Sequence, residues 1–160
     1  MVKLMRIDER LIHGQVVTGW SKLLSVNAIV VGNDKAANDT VISMTLKMAA
    51  PQGMKAAIKT VEGAIALLND PRAKDMAILV IVDNPVDAFR IAKEVPGIPE
   101  INVGNFGRLN KEEKSRKTLS KGFFANDEEI AQFKELLKLG IPCNVQMTSN
   151  QGKERLEEVL

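Results

Sequence analysis

The sequence predicts an α/β fold: a single domain over residues 1–160, with a mostly parallel β-sheet, helices on both faces and antiparallel pairing toward the C-terminal part. Three observations carry this. Short, wholly apolar runs such as Ala77-Ile-Leu-Val-Ile-Val82 have the length and composition of strands buried on both faces. Between such runs lie segments of about 10–12 residues with apolar side chains at helical spacing. Strands alternating with helices of that length form βαβ units, which close into a parallel sheet.

The elements follow in order. Val2–Ile7 is a strand, and Gln15–Leu24 is a helix with apolar residues at 16, 17, 20, 23 and 24. Asn27–Gly32 holds the buried-strand run Ala28-Ile-Val-Val31. Asp39 caps a helix to Ala50 that Pro51 stops. Met54–Lys59 is a modest strand, and Thr60 caps a helix through Leu68, closed by Asn69-Asp70-Pro71. After strand Ala77–Val82, Asn84-Pro85 reads as N-cap and first turn of a helix to Val95. Ile98–Val103 is a strand, and Thr118–Ala125 pairs as antiparallel strands. Asn126 with Glu129 is a capping-box pattern, Ile130, Phe133 and Leu137 form the apolar stripe, and Gly140 ends that helix. Ile141–Met147 is a last strand and Lys153–Leu160 a short charged helix.

Composition excludes several function classes. One cysteine, Cys143, permits no disulfide or CxxC pair and reads as a small buried hydrophobe. One His and one Cys cannot supply the usual zinc ligand sets, although an all-carboxylate Mg²⁺ site stays open. With 22 Lys+Arg against 20 Asp+Glu the chain has no broad nucleic-acid footprint. The charge run Lys111–Lys117 is a solvated segment or a dock for an acidic partner, and no aromatic residue interleaves it. Charges at positions 3, 6, 8, 9 and 10 leave no signal-peptide core. The longest apolar run is far short of the roughly 20 residues of a membrane span, so a cytoplasmic protein is expected.

Ligands of such folds gather at the carboxyl ends of the strands, which selects the loops Asp8–Gly14, Asn33–Asn38, Asp83–Asn84 and Gly104–Leu109. The first holds Asp8, Glu9, Arg10 and the lone His13, with Arg6 just upstream. An imidazole there is a candidate nucleophile. Arg10 offers a planar fork for phosphate oxygens, and the N–H groups opening the helix at Gly14–Val16 offer an anion site. Asp8 would orient the ring or hold one tautomer. Equally, His13 is a surface residue and Arg6 and Arg10 pair with Asp8 and Glu9. Asp8 and Glu9 as hydrolase carboxylates are disfavoured, since adjacent residues rarely point the same way. Gly104-Asn-Phe-Gly107 is either a backbone nest beside an anion or a tight turn. Trp20 shares helical spacing with Val16 and Leu24 and reads as packing.

The stretch Arg6-Ile-Asp-Glu-Arg-Leu-Ile-His-Gly-Gln-Val16 resembles the active-site signature of IIB components of the mannose/fructose/sorbose class of bacterial sugar phosphotransferase systems. Asn33-Asp34, Ala49-Ala-Pro51, Asn84-Pro85-x-Asp87, Asn102-Val-Gly104, Leu119-Ser-Lys121 and Asp127–Gly140 fall in the family's order, from residue 2 to about 150. The resemblance implies a histidine phosphocarrier, a protein-N(pi)-phosphohistidine–sugar phosphotransferase without cofactor or metal. His13 would accept a phosphoryl group from phosphorylated IIA and pass it to the sugar taken up by the IIC/IID membrane complex, which selects the sugar. Arg10, Arg6, Gly14 and Gln15 would bind the phosphoryl group, and Asp8 would shape the loop. The chain starts at the first IIB strand, so no IIA domain is expected fused in front, and IIA would be a separate chain or sit elsewhere. A non-catalytic anion-binding or regulatory domain of the same fold is the alternative. The chain departs from the family pattern at Asn105-Phe106, where Gly-Met is usual, at Ile42-Ser43, where a basic pair is usual, and at Met147–Asn150.

Overall fold

The computed structural model describes residues 1–109 and 115–160. Its elements are β1 (Val2–Ile7), α1 (Gly14–Leu24), β2 (Ala28–Gly32), α2 (Asp34–Ala37), α3 (Thr40–Ala49), β3 (Lys55–Lys59), α4 (Val61–Asn69), a 3₁₀ turn (Pro71–Asp75), β4 (Ile78–Val82), α5 (Pro85–Glu94), β5 (Ile101–Val103), β6 (Lys117–Ser120), β7 (Phe123–Ala125), α6 (Asp127–Leu137), β8 (Cys143–Val145), β9 (Glu154–Arg155) and α7 (Leu156–Val159). The main sheet has the order β3-β2-β4-β1-β5-β8-β9, and β6-β7 form a separate antiparallel pair. Every pairing in the main sheet is parallel except β8 with β9. This is the predicted fold class.

The alternation of side chains along each strand builds two cores. Met5, Ile7, Val30, Val80, Val82, Ile101 and Val103 face α4, α5 and α6, meeting Ala64, Ile91, Phe133 and Leu136. Leu4, Ile29, Val31, Leu79 and Ile81 face the other way, against Val17 and Trp20 of α1 and Leu46 of α3. Burial on both faces explains why β4 is apolar at every position. A T-shaped aromatic trio ties the loop after β5 to the second layer: Phe133 lies 5.1 Å from Phe106 and 5.0 Å from Phe123.

The caps read from sequence are all formed. Asp39 accepts from the N–H groups of Val41 and Ile42, Thr60 from Gly63, and Asn84 from Asp87, with Pro85 in the first turn. Asn126 and Glu129 complete a capping box, and Arg116 donates to both Glu129 oxygens at 3.0 Å.

The differences concern boundaries. Strand β5 is shorter than Ile98–Val103 because Pro99 cannot donate to a ladder, although Ile98 still packs in the core. Strand β8 likewise begins after Pro142, whose carbonyl accepts from the Ile101 N–H at 2.9 Å. Asn33–Asn38, read as a loop, contains the single turn α2, capped by Asn33 accepting from Ala36. The helix expected from Lys153 starts at Leu156. Leu156 is fully buried, and anchoring it draws Glu154 and Arg155 into antiparallel register with Val145 and Asn144. Most of the charge run Lys111–Lys117 lies outside the described residues, and its last residue opens β6. Among the described residues no helix is long and apolar enough to cross a membrane.

Cys143 is buried at 4% exposure, as its strand position implied. Burial first, then the charges of Glu157 and Glu100, push its thiol up to about 12. We expect a thiol-alkylating reagent to leave the folded protein unmodified at pH 8 and to modify it fully in denaturant. The folded state holds this proton more tightly than the unfolded chain, whose thiol ionises near about 8.5. The stabilisation is therefore intact below that pH and declines above it, a slope measurable by urea unfolding between pH 8 and 10.

Candidate active site

The candidate site is built on the carboxyl edge of β1, at the centre of the sheet. Arg6, Asn102, Asn144 and Gln146 alternate with apolar residues on β1, β5 and the β8 segment, placing polar groups on the α1 side of the sheet. Arg6 is 1% exposed and pairs in register with Asn102. Its Nη1 donates to Asn102 Oδ1 and to the Gln146 carbonyl at 2.9 Å; its Nη2 donates to the Met147 carbonyl at 2.7 Å and to Asp8 Oδ2 at 3.2 Å. Its guanidinium carbon lies 5.4 Å from the Trp20 ring centre, so Trp20 packs over a buried cation as well as in the α1 core. Burial draws the Arg6 guanidinium below its ordinary value, and the Asp8 carboxylate opposes this. The expectation of Arg6 as a phosphate-facing charge therefore meets a buried group committed to partners beneath the loop.

Asp8, also 1% exposed, hands this anchorage upward. Its Oδ1 accepts from the Arg10 N–H at 3.1 Å and from Arg10 Nε at 3.4 Å. A turn closes as the Leu11 N–H donates to the Asp8 carbonyl at 2.9 Å. Leu11 has φ +57°, a region unfavourable for a residue with a side chain, and its side chain is buried with Ile12 against α1 and α3. With Asp8, Leu11 and Ile12 turned inward, the chain presents Arg10 and His13 outward. Arg10 keeps 31% side-chain exposure, and among the described residues its two terminal nitrogens make no hydrogen bond.

His13 is exposed and is the N-cap residue of α1. Its carbonyl accepts from the Val17 N–H at 3.0 Å, but its ring does not cap the helix, and no acidic residue occupies the first turn. The N–H groups of Gly14, Gln15 and Val16 are thus left without a side-chain cap, at the positive end of the helix dipole. Gly14 is half-buried, near the Ala49 carbonyl, and Gln15 is exposed.

The other loops separate clearly. Asp83 accepts from both Asn33 and Asn84, at 2.8 and 2.7 Å, which locks Asn33–Asn38 to Asp83–Asn84. Burial raises the Asp87 carboxyl, and the charges of Asp83 and Asp34 add to this, so that edge is unsuited to anions. Among the described residues no three His, Cys, Asp or Glu side chains converge on a metal position. In the Gly104–Leu109 loop, the N–H groups of Gly107, Arg108 and Leu109 do form an anion-binding arrangement, but the Glu9 carboxylate occupies it. Asp8 and Glu9 point to different partners, as adjacency implied.

Two contributors escaped the sequence reading, Glu9 as a tie between loops and Gly104. A Cβ on Gly104 would fall well inside van der Waals contact with Arg6 Nη2 and 3.0 Å from Asp8 Oδ2. The signal for the buried cation was present: a polar residue at alternate positions of strands otherwise apolar, at Arg6, Asn102 and Asn144 with Gln146.

Comparison with known proteins fits this geometry. The family model of the PTS system sorbose subfamily IIB component matches residues 2–160. The chain belongs to this family of IIB components. A probable phosphotransferase enzyme IIB component of Streptococcus pyogenes serotype M6 is 47% identical over 140 residues, covering 87% of this chain and 86% of that protein. The sorbose-specific EIIB component of Klebsiella pneumoniae is 33% identical over 149 residues, covering 93% and 88%. The crystal structure of the IIBSor domain of the Klebsiella pneumoniae sorbose permease superposes with a TM-score of 0.89 at 31% identity, covering 99% of this chain and 94% of that one. As a IIB component the chain has a general role in sugar phosphotransfer.

In this IIB component the space above Gly104 is filled by the Arg6–Asp8 pair. Gly104→Ala is expected to lower stability by about 1–3 kcal/mol, the usual cost of overpacking. Urea unfolding measures it, and an unchanged midpoint would mean that the pair can move aside.

Proposed function

We propose that this IIB component is a histidine phosphocarrier with His13 as its single phosphoacceptor. The observation that carries the reading is the exposed His13 at the uncapped N-terminus of α1, in the same loop as the half-buried Arg10, whose terminal nitrogens make no hydrogen bond among the described residues. The donor would be a phosphorylated IIA protein and the acceptor a sugar delivered by IIC/IID membrane components, with the chain working at the cytoplasmic face.

The chemistry follows from these groups. An unprotonated ring nitrogen of His13 attacks the phosphorus of the donor phosphohistidine. The donor's N–P bond breaks as the new N–P bond forms, and the electron pair returns to the donor imidazole. In the second transfer a sugar hydroxyl attacks the phosphorus as the His13 N–P bond breaks; the electron pair returns to the His13 ring nitrogen, which takes up the hydroxyl's proton. Phosphoryl transfer depends on in-line positioning and on stabilising charge over the phosphoryl oxygens. Arg10 would supply a donor fork, and the N–H groups of Gly14 and Gln15 a fixed positive end. Arg6 and Asp8 act at one remove: Asp8 holds Arg10 by its N–H and Nε, and Arg6 holds Asp8. Bound phosphate adds about −1.5 to −2 charge, which Arg10 faces directly.

The test is incubation with phosphorylated IIA. Wild type should gain one acid-labile, base-stable phosphoryl group, and His13→Ala none. Stable labelling of His13→Ala would refute the single site. Arg10→Ala should fold normally and transfer about 10²-fold more slowly; a wild-type rate would remove Arg10 from the phosphate-binding role.

A further inference from the structure

Resting on the reading of His13 as phosphoacceptor, we propose that Glu9 is a positioning residue. Its carboxylate, seated in a cup of backbone N–H groups on the Gly104–Leu109 loop, fixes the shape in which the first loop presents Arg10 and His13 together.

The tie is dense. Glu9 Oε1 accepts from the Gly107 N–H at 2.7 Å, and Oε2 accepts from Arg108 at 3.1 Å and Leu109 at 3.2 Å. The Glu9 N–H donates to the Asn105 carbonyl at 2.9 Å. Charge-assisted bonds to consecutive backbone N–H groups are among the stronger polar contacts available near a surface.

The receiving segment is anchored to the core at its start. Phe106 sits in the aromatic trio and exchanges backbone bonds with the β7 region, its N–H donating to the Gly122 carbonyl at 3.1 Å and its carbonyl accepting from Phe124 at 2.9 Å. Gly107 has φ +85°, and a Cβ there would collide with the Phe124 carbonyl. The start of the shelf, Phe106 and Gly107, therefore cannot shift without disturbing the core.

Two adjacent residues are thus pinned in different directions: Asp8 downward by Arg6, Glu9 sideways by the shelf. The next residues include Leu11 in its unfavourable conformation, which persists only if its surroundings enforce it. With the Glu9 carboxylate gone, the three bonds to the 107–109 N–H groups are lost, and the loop is held by the Glu9 N–H bond to the Asn105 carbonyl, the Asp8 bonds and the buried side chains of Leu11 and Ile12. The loop segment bearing Arg10 and His13 is then freer to sample other conformations. A displacement of about 1 Å in such a site costs up to about 10²-fold in rate. Because the Glu9 carboxylate is already bound within the chain, its loss should act on the transfer step and not on affinity for the donor.

The experiment is single-turnover transfer from phosphorylated IIA to wild type, Glu9→Ala and Glu9→Gln, varying donor concentration. Glu9→Ala should lose about tenfold or more in maximal transfer rate, with half-saturation within about twofold of wild type. Glu9→Gln keeps the shape and one acceptor oxygen and should recover part of the loss. In amide NMR spectra the 107–109 resonances should move in both variants, and inorganic phosphate should perturb them in Glu9→Ala but not in wild type. A wild-type maximal rate in Glu9→Ala, or a loss confined to half-saturation, would overturn the proposal. If Glu9→Ala does not fold by circular dichroism, Glu9→Gln decides: a slower maximal rate at unchanged half-saturation supports the role, and a wild-type rate overturns it. If wild type accepts no phosphoryl group, the phosphoacceptor reading fails. The amide comparison then tests the tie itself, and unmoved 107–109 resonances would refute it.

Discussion

The buried pair of Arg6 and Asp8 is the interaction on which the site depends. Both side chains are removed from water beneath the first loop, and each is held by further groups: Arg6 by Asn102 and two carbonyls, Asp8 by Arg10. A buried ion pair of this kind gives little net stability over an apolar substitute, but removing one partner leaves a desolvated charge worth about 3–5 kcal/mol of instability. The fold accommodates it at a definite cost in sequence freedom. Gly104 must lack a side chain, and strands β5 and β8 must turn polar residues to one face. In return, a loop that would otherwise be a flexible connection becomes a fixed extension of β1.

On the proposed reading, that rigidity is how a small α/β protein would prepare phosphoryl chemistry without a deep pocket. A groove does exist between α4 and the β2–β3 edge, floored by Ala28, Val30 and Ala57, but no residue of the Asp8–Gly14 loop lines it. The His13 ring stands exposed at the sheet's carboxyl edge, where another protein can bring its own phosphoryl group into line. With His13 as the proposed acceptor, an exposed residue on a fixed loop would suit a carrier that meets one macromolecular partner after another, whereas an enclosed acceptor would suit a soluble metabolite.

Much of this was legible in the sequence, for identifiable reasons. The strands are buried on both faces and therefore uninterrupted in apolarity, and the caps at Asp39, Thr60, Asn84 and Asn126 mark helix starts by local chemistry. The eleven-residue stretch around His13 carried the family, and the comparisons place the chain there. Two things were not legible. The direction of each charge in Arg6-Ile-Asp-Glu-Arg depends on strand parity and on neighbours about a hundred residues away, such as Asn102 and Gly107, so the sequence left Arg6 open between a phosphate-facing charge and a partner of Asp8, and the structure has it buried against Asp8. The Glu9 tie and the Gly104 vacancy are long-range contacts, and neither has a local signature. Boundaries shifted where prolines 99 and 142 remove ladder donors while their neighbours stay buried.

The most direct measurement is ³¹P NMR of the isolated protein after treatment with phosphoramidate, a small donor that needs no partner recognition. The account predicts one phosphohistidine resonance, lost in acid, retained in base and absent from His13→Ala. No phosphohistidine on the folded wild-type protein, or the same resonance in His13→Ala, would contradict it.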